Sequence, residues 1–322
     1  MTQSRIAGLG VYRPSRVVPN SELVAAIDSS DEWIRTRTGI AERRWAAPEE
    51  TVALMATEAA RAALADADLD PRQVDCVIVA TVTHLMQTPS LAAEVAHALG
   101  AEQPAAFDIS AACAGFCHGL ALASDLVRGG TARHVLVIGV ERLSDITDLT
   151  DRGTAFIFAD GAGAVVVGPS ETADIGPVVW GSDGERADLI TQRETWPDAL
   201  ARGSLPHLTM QGNQVFRWAS YTMAKTGLEA LDRAGVRPDE LDCFVPHQAN
   251  LRIIDAMTRA MKLPDTVRVA RDIVEAGNTS AASIPLALER MRRDGDARSG
   301  DTALLIAFGA GLAWAAQVVV LP

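Results

Sequence analysis

Cys113 and Cys117, in the stretch "FDISAACAGFCHGLALASDLV" from Phe107 to Val127, stand one helical turn apart among alanines and glycines. Cysteines so placed can be a redox pair, half of a metal site, small core residues, or one nucleophile with a bystander. Redox pairs favour Cys-x-x-Cys, and no second Cys/His cluster follows to complete a zinc site. His118 would point about 100° away from Cys117 on a helix. A nucleophile or a core residue remains. Free cysteine is among the most buried residue types, so Cys76, Cys243 and Cys117 are read as core. Cys113 differs, because "FDIS" has the pattern of a strand and "AGFCHGLALASDLV" that of a helix, which puts it at a strand-to-helix junction. Backbone N–H groups there lack partners and the helix dipole is positive. Up to about 2 kcal/mol from such a dipole predicts a thiol lowered from ~8.5 toward ~7.

A thiolate needs partners, and two segments have suitable chemistry. "CFVPHQANLRII" ends a strand at His247 and starts a helix, while "EAGNTSAASIP" presents Asn278 just before another helix. Alone, a histidine after a strand is usually structural and an asparagine before a helix usually a cap. Together with Cys113 they point to one site, provided that the fold brings three strand ends to one cleft, where α/β proteins place their sites.

The elements that must do this are legible. Apolar β-branched runs such as "DCVIVATVT" and "RHVLVIGVE" alternate with Ala-rich helical segments, the pattern of an α/β protein built from βαβ units. Residues 51 to 66 set Val52, Met55, Ala56, Ala59, Ala63 and Leu64 on one helical face. The chain also repeats itself. "ALADADLDPRQVDCVIV" from Ala63 aligns without a gap with "ALDRAGVRPDELDCFVP" from Ala230, "SAAC" ending at Cys113 with "SAAS" ending at Ser283, and "VVVGP" ending near 169 with "VVVLP" at 322. Echoes in one order, most of them about 170 residues apart, indicate two duplicated α/β halves, 1–170 with the cysteine and 171–322 with the histidine and asparagine. Residues 171 to 213 are expected to connect them, partly folded over the surface.

Bulk properties narrow the function. A chain of 322 residues that is 48% hydrophobic and 22% charged builds a large core. A formal charge of −12 argues against nucleic acid as the main partner. No apolar run approaches the ~20 residues that span a bilayer, and the N-terminus lacks a signal-peptide core. With four cysteines and no disulfide framework, a cytoplasmic location is expected. "GAG" at 161 to 163 is no dinucleotide fingerprint, since a Val-rich strand follows where a helix is required.

"SAACAGF", "DEWIRTRTGI", "VPHQANLRII", "GNTSAASIP" and "FGAGLAW" together resemble β-ketoacyl-acyl carrier protein synthase III, a condensing enzyme of the thiolase-like fold, and look most like its actinobacterial members. The resemblance implies an α/β thiolase-like fold, with two duplicated α/β halves in a five-layered αβαβα arrangement, and a homodimer. It implies that Cys113, His247 and Asn278 form a catalytic triad, with the backbone N–H groups of Cys113 and Ala310 as oxyanion hole. It implies that Trp33 and Arg152 sandwich the adenine of coenzyme A, Arg37 reaches phosphate, and Gly212 and Asn250 flank the pantetheine arm. Phe116 and Phe308 are expected to shape the acyl pocket. Thr88 would cap that of the partner subunit, a small residue there leaving room for branched or longer acyl groups. Acyl-CoA and malonyl-acyl carrier protein are the implied substrates, with no metal or resident cofactor. The carrier protein is expected to be acidic, like this chain, so a local basic patch must receive it. Arg252 and Arg259, seven residues apart on one helix, share a face, and Arg217 matches a further basic position. Fatty acid chain initiation is the leading reading and polyketide priming its rival. A degradative thiolase would need a second cysteine in "FGAGLAW", and a non-catalytic carrier-binding scaffold would not need the three reactive residues.

Overall fold

Thr51 accepts a hydrogen bond from the Leu54 N–H (3.1 Å) and so starts a helix over Val52–Asp66. Met55, Ala56, Ala59, Ala63 and Leu64 are its buried face, as the spacing predicts, with Val52 only half-buried. The computed structural model describes residues 2–322. Its first half runs β1 (Gln3–Tyr12), β2 (Arg16–Pro19), α1 (Asp31–Thr38), β3 (Glu42–Trp45), α2 (Val52–Asp66), β4 (Cys76–Ala80), α3 (Leu91–Leu99), β5 (Ala105–Ile109), α4 (Gly115–Arg128), β6 (Val135–Arg142) and β7 (Asp160–Ser170). The second runs β8 (Val179–Ser182), β9 (Ile190–Gln192), α5 (Trp196–Ala201), β10 (Leu208–Met210), α6 (Gly212–Ala234), β11 (Cys243–Pro246), α7 (Leu251–Ala260), β12 (Arg268–Val269), α8 (Ile273–Ala276), α9 (Ser283–Asp294), β13 (Thr302–Gly309) and β14 (Ala313–Val320).

Two five-stranded sheets repeat each other strand for strand, in the orders β1-β7-β6-β4-β5 and β8-β14-β13-β11-β12. Directions match too. β4 is parallel to β6 and β5, as β11 is to β13 and β12. β7 is antiparallel to β6 and β1, as β14 is to β13 and β8. Helices α4 and α9 lie between the sheets, α2 and α3 cover the first, and α6 and α7 the second, giving five layers, αβαβα. Because it is covered on both faces, β4 reads as an unbroken apolar run rather than an alternating one.

Three details differ from expectation. Short 3₁₀ turns, Ala112–Ala114 and Ser280–Ala282, lead into α4 and α9. Turn for turn, the counterpart of Cys113 is therefore Ala281, two residues from the Ser283 that the "SAAC"/"SAAS" alignment pairs with it. Residues 171 to 213 are more than a connection, since β8 is an edge strand of the second sheet. Phe116, expected at the acyl pocket, is fully buried between the sheets with Cys117 and Leu120 and lines neither of the two cavities that Cys113 lines. The reason is that α4 is enclosed by both sheets, so a large side chain there fills the core. Among the described residues no helix is long and apolar enough to cross a membrane.

Candidate active site

Cys113 sits in the turn Ala112–Ala114, entered through Ala112 at φ 45°, a left-handed backbone uncommon for a residue with a side chain and frequent where a reactive group is aimed. Gly309, the last residue of β13, lies directly behind it. A Cβ at Gly309 would come within 2.8 Å of Cys113 Cβ and 3.0 Å of its Sγ, so only glycine fits. Burial pushes the thiol up to about 11, opposite to the lowering expected from the helix dipole. Two causes are visible. The turn separates Cys113 from the first residue of α4, Gly115, and desolvation opposes a full charge where the dipole offers about half of one. The polar Ser280 beside it works in the other direction without prevailing.

His247 follows β11 directly and is anchored by its N–H to the Ile306 carbonyl (2.7 Å). Its Nδ1 meets the Ser283 hydroxyl at 2.7 Å and its ring lies edge-on to Phe308, with centroids 5.6 Å apart. Burial lowers its pKa to about 3, so the imidazole is neutral at ordinary pH. Asn278 is locked into the backbone by bonds with Ile157 and Ala159, both 2.9 Å. Its Oδ1 accepts the Ser280 N–H (2.9 Å), which leaves the amide NH₂ as the group turned to the cavity. Gly277 before it has φ 69° and would set a Cβ 2.8 Å from Arg43 Cβ, so this approach also requires glycine.

All three side chains line one cavity of about 430 Å³. Its outer wall is cationic and aromatic. The Arg152 and Arg37 guanidiniums lie 5.2 and 5.7 Å from the centre of the Trp33 ring. Gly212, at the start of α6, and Asn250, the N-cap of α7, line the passage inward. The Asn250 Nδ2 donates to the Arg37 carbonyl (3.1 Å), tying α1 to α7. The segment through Phe156 and Phe158 is pinned by buried Arg43, which donates to the Phe156 carbonyl (2.7 Å). A second cavity of about 360 Å³ shares Cys113 with the first. Its lining includes Val82, Leu143, Ile146, Leu208 and Ala310. Cys113 thus stands between a charged entry and a mainly apolar chamber.

The other expected residues fall as follows. Phe308 lines the first cavity beside His247, not the apolar chamber. Thr88 lies on an exposed loop and lines neither cavity of its own chain, so any capping role would be played across a subunit interface. Arg252 is at the rim of the first cavity, over the Phe216 ring at 5.1 Å. Arg259 is exposed on the same helix. Arg217 faces a separate surface depression with Glu185, Arg186 and Asp188. Residues not singled out from the sequence also shape the site: Gly309 behind the sulfur, Ser283 on His247, Ser280 beside Cys113, and Glu141 behind Ser280. Glu141 had a signal, a carboxylate closing the apolar run "VLVIGVE".

Comparison with known proteins agrees with this geometry. Residues 107–184 match the family model described as 3-oxoacyl-[acyl-carrier-protein (ACP)] synthase III, and residues 231–321 the model of its C-terminal part. The chain is 58% identical to beta-ketoacyl-[acyl-carrier-protein] synthase III 1 of Streptomyces coelicolor, over 99% of this chain and 96% of that one. It is 56% identical to the mycobacterial beta-ketoacyl-[acyl-carrier-protein] synthase III of Mycobacterium avium, over 100% of this chain and 96% of the relative. Among solved structures, the priming β-ketosynthase of the R1128 polyketide pathway superposes with a TM-score of 0.97 at 48% identity, covering 99% of this chain and 96% of the other. The thiolase-like fold, the paired cavities and these likenesses agree: the chain belongs to the 3-oxoacyl-[acyl-carrier-protein] synthase III family of acyl-transferring condensing enzymes.

Proposed function

We propose that this enzyme moves the acyl group of an acyl-CoA onto Cys113 and condenses it with malonyl-acyl carrier protein, releasing CO₂ and 3-oxoacyl-acyl carrier protein. The position of Cys113 between a charged entry and an apolar chamber is the observation that carries this reading. In the first half-reaction the Cys113 thiolate attacks the thioester carbonyl, the acyl chain lies in the chamber, and coenzyme A leaves through the entry. Adenine would insert between Trp33 and Arg152, with Arg37 on phosphate and the pantetheine arm running past Gly212 and Asn250. The Cys113 and Ala310 backbone N–H groups would hold the tetrahedral oxyanion, one such donor being worth about 2.7–4 kcal/mol.

In the second half-reaction malonyl loses CO₂ and negative charge builds on its thioester oxygen. Neutral His247 and the Asn278 amide would donate hydrogen bonds to that enolate, whose carbon attacks the acyl-cysteine and expels the thiolate. Side chains and backbone amides suffice for each step, with the thioester as substrate and no resident cofactor.

A chamber of about 360 Å³ is larger than acetyl needs, and primers longer or branched beyond acetyl are the expected substrates. Mixing the enzyme with malonyl-acyl carrier protein and acetyl-, isobutyryl- or longer acyl-CoAs should give 3-oxoacyl product and equal CO₂, fastest with the larger primers. No product would refute the activity, and a strict acetyl preference would refute the primer range. Initiation of fatty acid synthesis is the leading role. Polyketide priming is favoured by the likeness to the R1128 synthase, and comparing rates with carrier proteins of the two pathways separates them.

Arg252, at the rim, is the proposed first contact of an acidic carrier protein, supported by Arg259 and Arg217. Arg252→Glu should slow the malonyl-carrier step at least tenfold, about 1.4 kcal/mol, while Cys113 acylation by acyl-CoA stays near normal; equal loss of both would contradict docking. A homodimer is proposed as well. Supporting it, β5 is a sheet edge with Phe107 exposed, and Leu85 and Met86 are exposed too. A cytoplasmic location goes with this reading.

A further inference from the structure

Cys113 must lose a proton before it attacks, and an imidazole that accepts at Nδ1 has no lone pair at Nε2 to take it. The Ser283 hydroxyl accepts the Gln248 N–H (3.3 Å) and lies 2.7 Å from His247 Nδ1. That leaves its own hydrogen free for Nδ1, and with Nδ1 accepting, the ring proton sits on Nε2. A neutral imidazole in this tautomer is a donor at Nε2, suited to an enolate and unsuited to a thiol.

Another polar path leads away from the sulfur. Ser280 lines the apolar chamber together with Cys113, and its Oγ donates to Glu141 Oε1 at 3.2 Å. Ser280 holds φ 48°, left-handed like Ala112 in the counterpart turn, so both sides of this contact carry an uncommon backbone. Glu141, next to last in β6, is fully buried. Its Oε2 accepts from the Thr83 hydroxyl (2.7 Å), the Val82 N–H (3.1 Å) and the Thr81 hydroxyl (3.4 Å). The Thr83 hydroxyl accepts the Arg142 N–H (2.9 Å), which fixes it as a donor toward Glu141. With Oε2 so occupied, Oε1 is the oxygen open to a proton, and Ser280 is its neighbour. No cation compensates this carboxylate among the described contacts: the Arg142 guanidinium is turned to Asp145 (3.2 Å), and Asp160 of β7 is engaged by Ala46 and Ser144. A buried carboxylate without a counter-ion is costly unless it has work to do.

We propose that Glu141, acting through the Ser280 hydroxyl, takes the proton of Cys113 and returns it to the departing coenzyme A sulfur. This rests on the reading in which Cys113 is acylated. The Cys113 S–H bond breaks and its electron pair stays on sulfur. An O–H bond forms to Ser280 Oγ as the original Ser280 O–H bond breaks, and that proton bonds to Glu141 Oε1. The single negative charge moves from carboxylate to sulfur and nothing else is consumed. After acyl transfer the same path runs backwards to the coenzyme A thiolate, so Glu141 begins and ends each turnover ionised. Two observations fit. Burial lifts the Glu141 carboxyl to about 7, and the Glu141 charge is itself one cause of the raised Cys113 pKa, a cause that vanishes once Glu141 is protonated.

The test is the rate of Cys113 alkylation by iodoacetamide against pH, read by peptide mass spectrometry in the wild type, Glu141→Gln and Ser280→Ala. The wild type should show a step near the Glu141 pKa of about 7. Both variants should lose that step and react on the order of tenfold or more slowly at neutral pH. A merely structural or electrostatic Glu141 predicts the opposite, because Glu141→Gln removes a repelling charge and would speed alkylation. Equal or faster alkylation in Glu141→Gln, or a wild-type profile without the step, overturns the proposal. Ser280→Ala keeps the carboxylate and covers the case in which Glu141→Gln does not fold: retention of the step there overturns it too. Acylation of wild-type Cys113 by acyl-CoA, measured on the same preparation, separates the two levels. Acylation without a step sinks the relay alone, and absent acylation sinks the reading beneath it.

Discussion

Replacing His247 with alanine leaves Cys113 able to accept an acyl group and lowers condensation with malonyl-acyl carrier protein about 10²- to 10³-fold, the usual cost of one oxyanion donor. The two half-reactions separate because His247 meets the reaction only when enolate charge develops. Its surroundings suit this, with Nδ1 held by the Ser283 hydroxyl at 2.7 Å and Nε2 the nitrogen left for substrate. Asn278→Ala should behave alike, since its Oδ1 is occupied by the Ser280 N–H and only its NH₂ is free to donate. The pH profile follows with its sign. Burial lowers His247 to about 3, so the ring stays neutral as pH falls through the ordinary histidine range, and condensation should show no acid limb near pH 6.5 from this residue. Single-turnover rates for each half-reaction check both points, and a His247→Ala enzyme equally slow in acylation would contradict the division.

Gly309→Ala should depress both half-reactions by about 10²-fold or more. The new methyl would sit 2.8 Å from Cys113 Cβ, 3.0 Å from Sγ and 3.1 Å from the backbone N, contacts that force the nucleophile or the turn beyond β13 to move. A misplacement of about 1 Å at a reacting atom is worth that much in rate. The Cys113 and Ala310 N–H groups would move with it, so the acyl transfer that His247→Ala spares is lost here. Acylation rates with acyl-CoA in the two variants make the contrast, and near-normal acylation in Gly309→Ala would show that the packing behind the sulfur does not set its position.

That Cys113, His247 and Asn278 meet in one cavity was legible because Cys113 and His247 belong to short motifs after a strand, Asn278 to one before a helix, and the two halves repeat their strand order. Other features were not, for reasons that particular residues expose. The "SAAC"/"SAAS" alignment slipped by two positions because runs of alanine and serine match in several registers, whereas the turns Ala112–Ala114 and Ser280–Ala282 have one. The direction of the Cys113 shift was misread because a helix start is visible locally and burial is not. Phe116 was misplaced since its neighbourhood to Cys113 in sequence does not show that α4 turns this side chain into the core between two sheets. Ser283 and Ser280 act only through the approach of segments far away in sequence, on His247 and Cys113 respectively. Glu141 closed a run of apolar residues, an anomaly whose meaning appeared only with Ser280 beside it.

The most direct measurement is intact-protein and peptide mass spectrometry after mixing with acyl-CoA, then with malonyl-acyl carrier protein. One acyl group per chain is expected, on Cys113, which disappears as 3-oxoacyl-acyl carrier protein forms. An acyl group on another residue, or product formed with Cys113 never modified, would contradict this.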